Sequence, residues 1–237
     1  WGDISLVTAT LNLLKAAYND NNDYYFLISG DTCPLFSNET FEELFEKNRV
    51  QINRKHVLNQ LAMFLRDREM LPAIMFVFSR KNVENFAQEI TIPLLEDDSK
   101  VPYIVQRECE QVIRKLPNYT EYMQLPEYIQ LVKLLEKGIG IHHSGMIPVL
   151  REIVELMISK KYIKILFATE SFAIGLDCPI KTAVFTGLSK FDGSYERYLL
   201  AHEYTQMAGR AGRRGIDTKG YVIYLPMRHP EGEADVR

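Results

Sequence analysis

The sequence predicts an α/β protein: a parallel sheet with helices on both faces, preceded by a short helix–strand appendage. Three observations predict it. A short apolar run that gives way to a polar tip and then to a helical pattern occurs three times, the order expected of parallel strands joined by crossover helices. The 237 residues are 46% hydrophobic, enough for one sizeable core. Charge is unevenly placed. Residues 1–48 hold two lysines against eight carboxylates, a net of −6, while the whole chain carries −3, so residues 49–237 carry +3. That shift marks a boundary, and the basic remainder suits a nucleic-acid partner.

Each element follows from its local pattern. In the leader, Leu6, Leu11, Leu13, Leu14 and Ala17 give Ile4 to Tyr18 helical spacing; Tyr24 to Ser29 reads as a strand and Gly30 to Pro34 as a turn. Val57 to Leu65 shows a helical face. Ala73 to Phe78 is a buried-type strand ending in Ser79 and Arg80, followed by a helical pattern from Asn82 to Ile90. Glu96 to Lys100 is a charged turn, and helices are expected around Val105 to Arg114 and Tyr128 to Glu136, separated by Pro117-Asn118-Tyr119-Thr120. Gly138 to Ile141 begins another strand, which runs through His142, His143, Ser144 and Gly145 into a Gly/Pro turn and an amphipathic helix ending near Leu156. Tyr162 to Ala168 is the third strand, with a polar tip from Thr169 to Asp177.

Residues 204–215, Tyr-Thr-Gln-Met-Ala-Gly-Arg-Ala-Gly-Arg-Arg-Gly, carry the sharpest signal. Gly209, Gly212 and Gly215 allow close approach of backbone to a ligand. Arg210, Arg213 and Arg214 add permanent positive charge with no carboxylate inside the window. The pattern suits phosphate; the bland alternative is a solvated basic turn. Thr169 and Asp177 fall where open α/β sheets host ligands, although Thr169 also suits a helix cap. His142 and His143 are adjacent in a strand and so point to opposite faces, which argues against one shared metal ion; one ring is expected against the sheet and the other toward nucleic acid. Tyr119, Tyr122 and Tyr128 fit base stacking or half-buried packing.

From about Arg54 to Leu225 these residues resemble the second RecA-like domain of superfamily 2 helicases, in particular the superkiller-type DExH group that serves the RNA exosome. Phe78-Ser79-Arg80 is similar to motif IV, Gly140 to Gly145 to motif IVa, Ala168 to Pro179 to motif V, and Gln206 to Arg213 to motif VI, with Lys190-Phe191-Asp192-Gly193 resembling the segment between the last two. The resemblance implies ATP bound between two lobes, with Arg210 and Arg213 as arginine fingers and Gln206 orienting the nucleotide side. Gly175, Asp177 and Gly209 would approach the nucleotide, Asp177 standing where many relatives carry asparagine. Ser79, Arg80, His143, Ser144, Gly145 and Thr169 would face the sugar-phosphate backbone of one RNA strand, contacts that position without reading sequence.

No Gly-x-x-x-x-Gly-Lys-Ser/Thr loop and no Asp-Glu-x-His occurs in the sequence. The expectation is therefore a lobe inert by itself, needing a first RecA-like lobe to hold ATP and Mg²⁺, with an exosome-type complex as the expected partner. The leader, Trp1 to Leu14 with Tyr25 to Asp31 and Pro34-Leu35, is similar to the core of family 14 glycosyltransferases, whose Ser-Gly-Asp turn lies beside the nucleotide-sugar pocket; nothing further along matches that family's catalytic carboxylate. The expected division is a passive, glycosyltransferase-like remnant over 1–48, the helicase domain over 49–228 and a tail over 229–237. A chain opening on Trp1 with two likenesses side by side reads as a mosaic. No stretch reaches 18 uninterrupted apolar residues, and Cys33, Cys109 and Cys178 are scattered and odd in number, so a soluble, intracellular protein, nuclear or cytoplasmic, is expected without membrane or metal. A non-catalytic nucleic-acid-binding module and a transferase remnant stand as alternatives.

Overall fold

The computed structural model describes residues 26–29, 53–95, 100–173, 180–213 and 215–225. In chain order these form β1 (Phe26–Ser29), α1 (Arg54–Asp67), β2 (Ala73–Phe76), α2 (Arg80–Glu89), α3 (Val101–Ile113), α4 (Tyr119–Gln124), α5 (Pro126–Leu135), β3 (Ile139–His142) and α6 (Pro148–Ser159). There follow β4 (Ile165–Ala168), a 3₁₀ turn (Glu170–Ala173), β5 (Thr182–Phe185), β6 (Ser189–Phe191), β7 (Glu196–Tyr198), α7 (Ala201–Ala208) and β8 (Tyr221–Tyr224). The chain is an α/β protein, as the sequence predicts.

Six strands make one sheet in the order β1-β8-β5-β2-β4-β3. β8, β5, β2, β4 and β3 are mutually parallel, and β1 joins the edge antiparallel to β8. The central strands β2, β4 and β5 are buried along their whole length, as parallel strands covered on both faces must be. The path from β2 to β3 moves one way across the sheet and that from β3 to β4 moves back. Right-handed crossovers therefore put α2 and α6 on opposite faces.

The helices cover the sheet with apolar stripes. α1 contributes Val57, Leu58, Leu61, Ala62 and Leu65, and starts at Asn53, whose side chain accepts from the His56 N–H. α2 buries Val83, Phe86 and Ala87. Between α2 and β3 the excursion α3–α5 packs against α6, with Lys160 and Glu108 2.6 Å apart across that contact. Tyr128 is 6% exposed, and Tyr119 and Tyr122 pack on the core as well. These tyrosines therefore follow the packing alternative. Burial, reinforced by Glu136 and Glu108, pushes the Cys109 thiol up to about 12, so this cysteine is an unreactive core residue.

Part of the leader belongs to the sheet. Phe26–Ser29 is built into the sheet, Phe26 opposite Tyr224 and Ser29 opposite Tyr221, and so covers the backbone edge that β8 would otherwise present to solvent. The expected helix at Ile4 to Tyr18 and the Asp31 turn lie outside the described residues.

Candidate functional site

The polar groups anticipated from the sequence fall at two ends of the sheet. At the carboxyl ends of β2, β3 and β4, Ser79 caps α2, its Oγ accepting from the Asn82 N–H at 3.4 Å. Arg80, the first residue of that helix, is exposed. Its stem lies over Gly145: a Cβ there would meet Arg80 Cδ at 3.2 Å and His143 Nδ1 at 3.2 Å. Motifs IV and IVa thus meet in one spot, with Ser144 exposed beside them.

His143 departs from the expectation of a ring offered to nucleic acid. It is 4% exposed; its Nδ1 accepts from the Gly145 N–H at 3.2 Å, which leaves the proton on Nε2 to bond Glu84 Oε1 on α2 at 3.1 Å. Both ring nitrogens are engaged, Nδ1 with the Ser144-Gly145 turn and Nε2 with α2, so His143 braces the turn against that helix. His142 points to the other face, where Nε2 bonds Glu155 Oε1 on α6 at 3.1 Å. Its Nδ1 is buried without a partner. Burial lowers the His142 pKa against the opposing pull of Glu155, which favours the neutral ring. Thr169 is buried as well. Its side chain is 8% exposed and its hydroxyl lies 2.9 Å from Ser171 Oγ, so the exposed hydroxyl at this tip belongs to Ser171, which sequence reasoning passed over.

The arginine loop lies at the opposite, amino-terminal end. α7 buries Met207, exposes Gln206 and closes at Gly209. Gly212, at φ +92°, donates its N–H to Ile180 O at 3.0 Å, just ahead of β5. A Cβ on Gly212 would meet Gly220 Cα at 3.2 Å, and one on Gly220 would meet Ala211 O at 2.5 Å. The loop is therefore clamped, backbone on backbone, between the lead-ins to β5 and β8. A pocket of about 220 Å³ opens beside it, lined among others by Pro72, Ile163, Lys164, Ile180 and Arg213.

Arg213 is paired in this structure. Its Nε and Nη2 bind Asp217 Oδ2 and Oδ1 at 2.7 and 2.6 Å, and its backbone N–H also bonds Oδ2 at 3.0 Å. This fork-to-fork pair draws the Asp217 carboxyl down to about 2 and the guanidinium up. The counter-charge sits two residues beyond the stretch scanned for it, so the Arg213–Asp217 spacing of four was the missed signal. Arg210 is half-buried, one turn beyond Gln206. Gly175 and Asp177 lie outside the described residues.

Between the two ends stands a group of charges that the sequence did not disclose. Lys190 Nζ on β6 lies 2.7 Å from Glu203 Oε1 on α7 and 3.3 Å from Glu170 Oε1 in the 3₁₀ turn. Glu203 also accepts from both terminal nitrogens of Arg197 at 2.9 Å and from the Leu200 N–H at 2.8 Å, which caps α7. The Arg197 bonds, then Lys190, hold the Glu203 carboxyl far below the usual carboxylate range. Burial alone would lower the Lys190 pKa, but Glu203 and Glu170 outweigh it and the ammonium is stabilised. Among the described residues no group of three or more His, Cys, Asp or Glu comes together as a metal site, and no helix is long and apolar enough to cross a membrane.

Comparison with known proteins agrees with this geometry. The helicase conserved C-terminal domain family matches residues 100–215, and the core-2/I-branching enzyme family matches residues 1–78. The second match extends past the leader into α1 and β2, yet β2 is a central strand of the sheet that carries the arginine loop. Antiviral helicase SKI2 of Saccharomyces cerevisiae is 38% identical over 174 residues, 72% of this chain. Superkiller complex protein 2 of Homo sapiens is 43% identical over 164 residues, 68% of the chain. Exosome RNA helicase MTR4 of Homo sapiens is 40% identical over 167 residues, 70% of the chain. The matched region spans only 13% of the length of the first two relatives and 16% of the third. The chain thus carries a helicase conserved C-terminal domain like that of the SKI2 and MTR4 RNA helicases.

Proposed function

We propose that this chain acts as the carboxyl-terminal motor lobe of an ATP-dependent RNA helicase. ATP and its Mg²⁺ are held by a first RecA-like lobe, and this lobe closes on the triphosphate with Arg210. Phosphoryl transfer gains more from electrostatic stabilisation than from covalent help, so one guanidinium brought to the transferred group is a sufficient contribution. Gln206 and Gly209 lie on the same side as Arg210; by resemblance Gly175 and Asp177 approach the ribose and phosphates there. Arg213, gripped by Asp217, anchors the loop in this reading, and Arg210 is taken as the finger from its place in the motif.

RNA lies at the other end of the sheet. Arg80 supplies charge to a phosphate, and Ser79, Ser144 and the Gly145 backbone, together with Ser171, offer hydrogen bonds to the sugar-phosphate chain. His143 and Thr169 support from beneath. RNA as substrate, and an assembly of exosome type as partner, come from likeness to relatives whose names carry those words.

One observation carries the reading: the cation-and-hydroxyl tips and the arginine loop occupy opposite ends of the same sheet and are joined by the single helix α7. The test is RNA-stimulated ATP hydrolysis after adding the first lobe of a superkiller-type helicase in trans. Hydrolysis above that of the first lobe alone supports the motor lobe; no increment contradicts it.

A further inference from the structure

We propose that Lys190 is a positioning residue that couples RNA occupancy at the carboxyl end of the sheet to the setting of the arginine loop at the other end. The proposal rests on the motor-lobe reading above.

Its geometry is that of a hinge pin between three segments. Lys190 Nζ joins Glu170, in the turn directly after the Thr169 tip, to Glu203, in the first turn of α7. The lysine side chain is 12% exposed and that of Glu203 16%, so water competes weakly for that bond, while Glu170, 38% exposed, forms the end of the bridge open to solvent. From Glu203 the connection is short and stiff. α7 is eight residues long, about 12 Å at 1.5 Å per residue. It is seated on β5 through Tyr204, whose ring lies 5.0 Å from that of Phe185, and through buried Met207. It then leads directly into Gly209 and Arg210. A strand of RNA that contacts Ser171 shifts the 3₁₀ turn, and Glu170 with it. Lys190 passes that shift to Glu203 and so to the helix that carries the arginine. Arg197, which holds Glu203 from the β6–β7 hairpin, fixes the partner without reaching Glu170. Lys190 alone among the described residues bridges both carboxylates.

The experiment is hydrogen–deuterium exchange of the full chain, free and saturated with single-stranded oligouridylate, on wild type, Lys190→Met, Lys190→Arg and Glu170→Gln. Oligouridylate affinity and Tm are measured on each. For wild type the expectation is slower exchange across residues 209–217 on RNA binding, by about fivefold or more, the lower end of ordinary site-to-site coupling. Lys190→Met retains RNA affinity within about twofold but loses the slowing at 209–217, and Lys190→Arg restores it. Glu170→Gln cuts the bridge on the RNA side, leaves the Glu203 bonds intact and also loses the response, which separates coupling from mere loss of folding. RNA binding with an equal loop response in wild type, Lys190→Met and Glu170→Gln overturns the inference and leaves the functional reading standing, as does RNA binding by wild type with no loop response at all. Absence of RNA binding by wild type overturns the functional reading, and the inference with it.

Discussion

Replacement of Gly220 by alanine tests whether the arginine loop owes its position to backbone packing. A Cβ at this site would lie 2.5 Å from Ala211 O, 2.6 Å from Ala211 C and 2.8 Å from Gly212 N. Ordinary contact begins at 3.4 Å, so the shortfall to the carbonyl oxygen is 0.9 Å, and every atom in the way is backbone. No rotamer change relieves it; either the 211–212 segment or the lead-in to β8 must move by nearly that distance. Overpacking of this kind costs about 1–3 kcal/mol. For a domain of this size that is about 2–4 °C in Tm per kcal/mol. The larger effect falls on function. Displacement of a transition-state contact by about 1 Å costs on the order of 10²-fold in rate. Gly187→Ala is the internal control, since a Cβ there meets nothing within 4 Å. The assays are thermal unfolding of the chain and RNA-stimulated ATP hydrolysis with the first lobe supplied in trans. A Gly220→Ala protein that matches Gly187→Ala in both Tm and rate would refute the clamp.

Three further predictions address other contacts. Asp217→Asn removes the carboxylate that grips Arg213 and should cost about 1–3 kcal/mol, the range for hydrogen bonds to charged groups; an unchanged Tm contradicts the anchoring role. His142 has a folded pKa below its ordinary value because of burial, so the unfolded state binds more protons. Its contribution to stability is complete above about pH 6.5 and is lost as pH falls through the folded pKa. His142→Gln should therefore flatten that part of the Tm–pH profile, and an unaltered slope excludes His142 as its source. Arg80→Ala should weaken binding of single-stranded RNA and reduce the slope of log affinity against log salt by about 1; an unchanged slope removes Arg80 from the phosphate contacts.

The elements that could be read in the sequence were those whose burial writes itself into a long apolar run. Ala73–Phe76, Ile139–His142 and Ile165–Ala168 lie inside such runs, and Val57 to Leu65 shows its stripe plainly. β5 and β8 are four residues each and were not read as strands, because their neighbours, not their own pattern, bury them. α7 escaped for a related reason: it buries only Met207 and is preceded by Leu200, which offers no side-chain cap. α4 hid because its start falls in Pro117-Asn118-Tyr119-Thr120, read as a separator between helices. Within the site, the residue types were legible and their roles were not. Arg213 looked unpaired until Asp217 folded back on it. His143 looked like a ligand contact, and its bonds to Gly145 and Glu84 could not be read from spacing. Gly220 and Lys190 act through partners distant in sequence, Ala211 and the pair Glu170 and Glu203, which no local spacing reveals.

The central claim is that Arg210 meets the triphosphate. The most direct measurement is the turnover number for RNA-stimulated ATP hydrolysis, at saturating ATP and RNA with a first lobe in trans, for wild type and Arg210→Ala. The account predicts a loss of about 10³ to 10⁵ with Tm little changed. Equal turnover by the two proteins would contradict it.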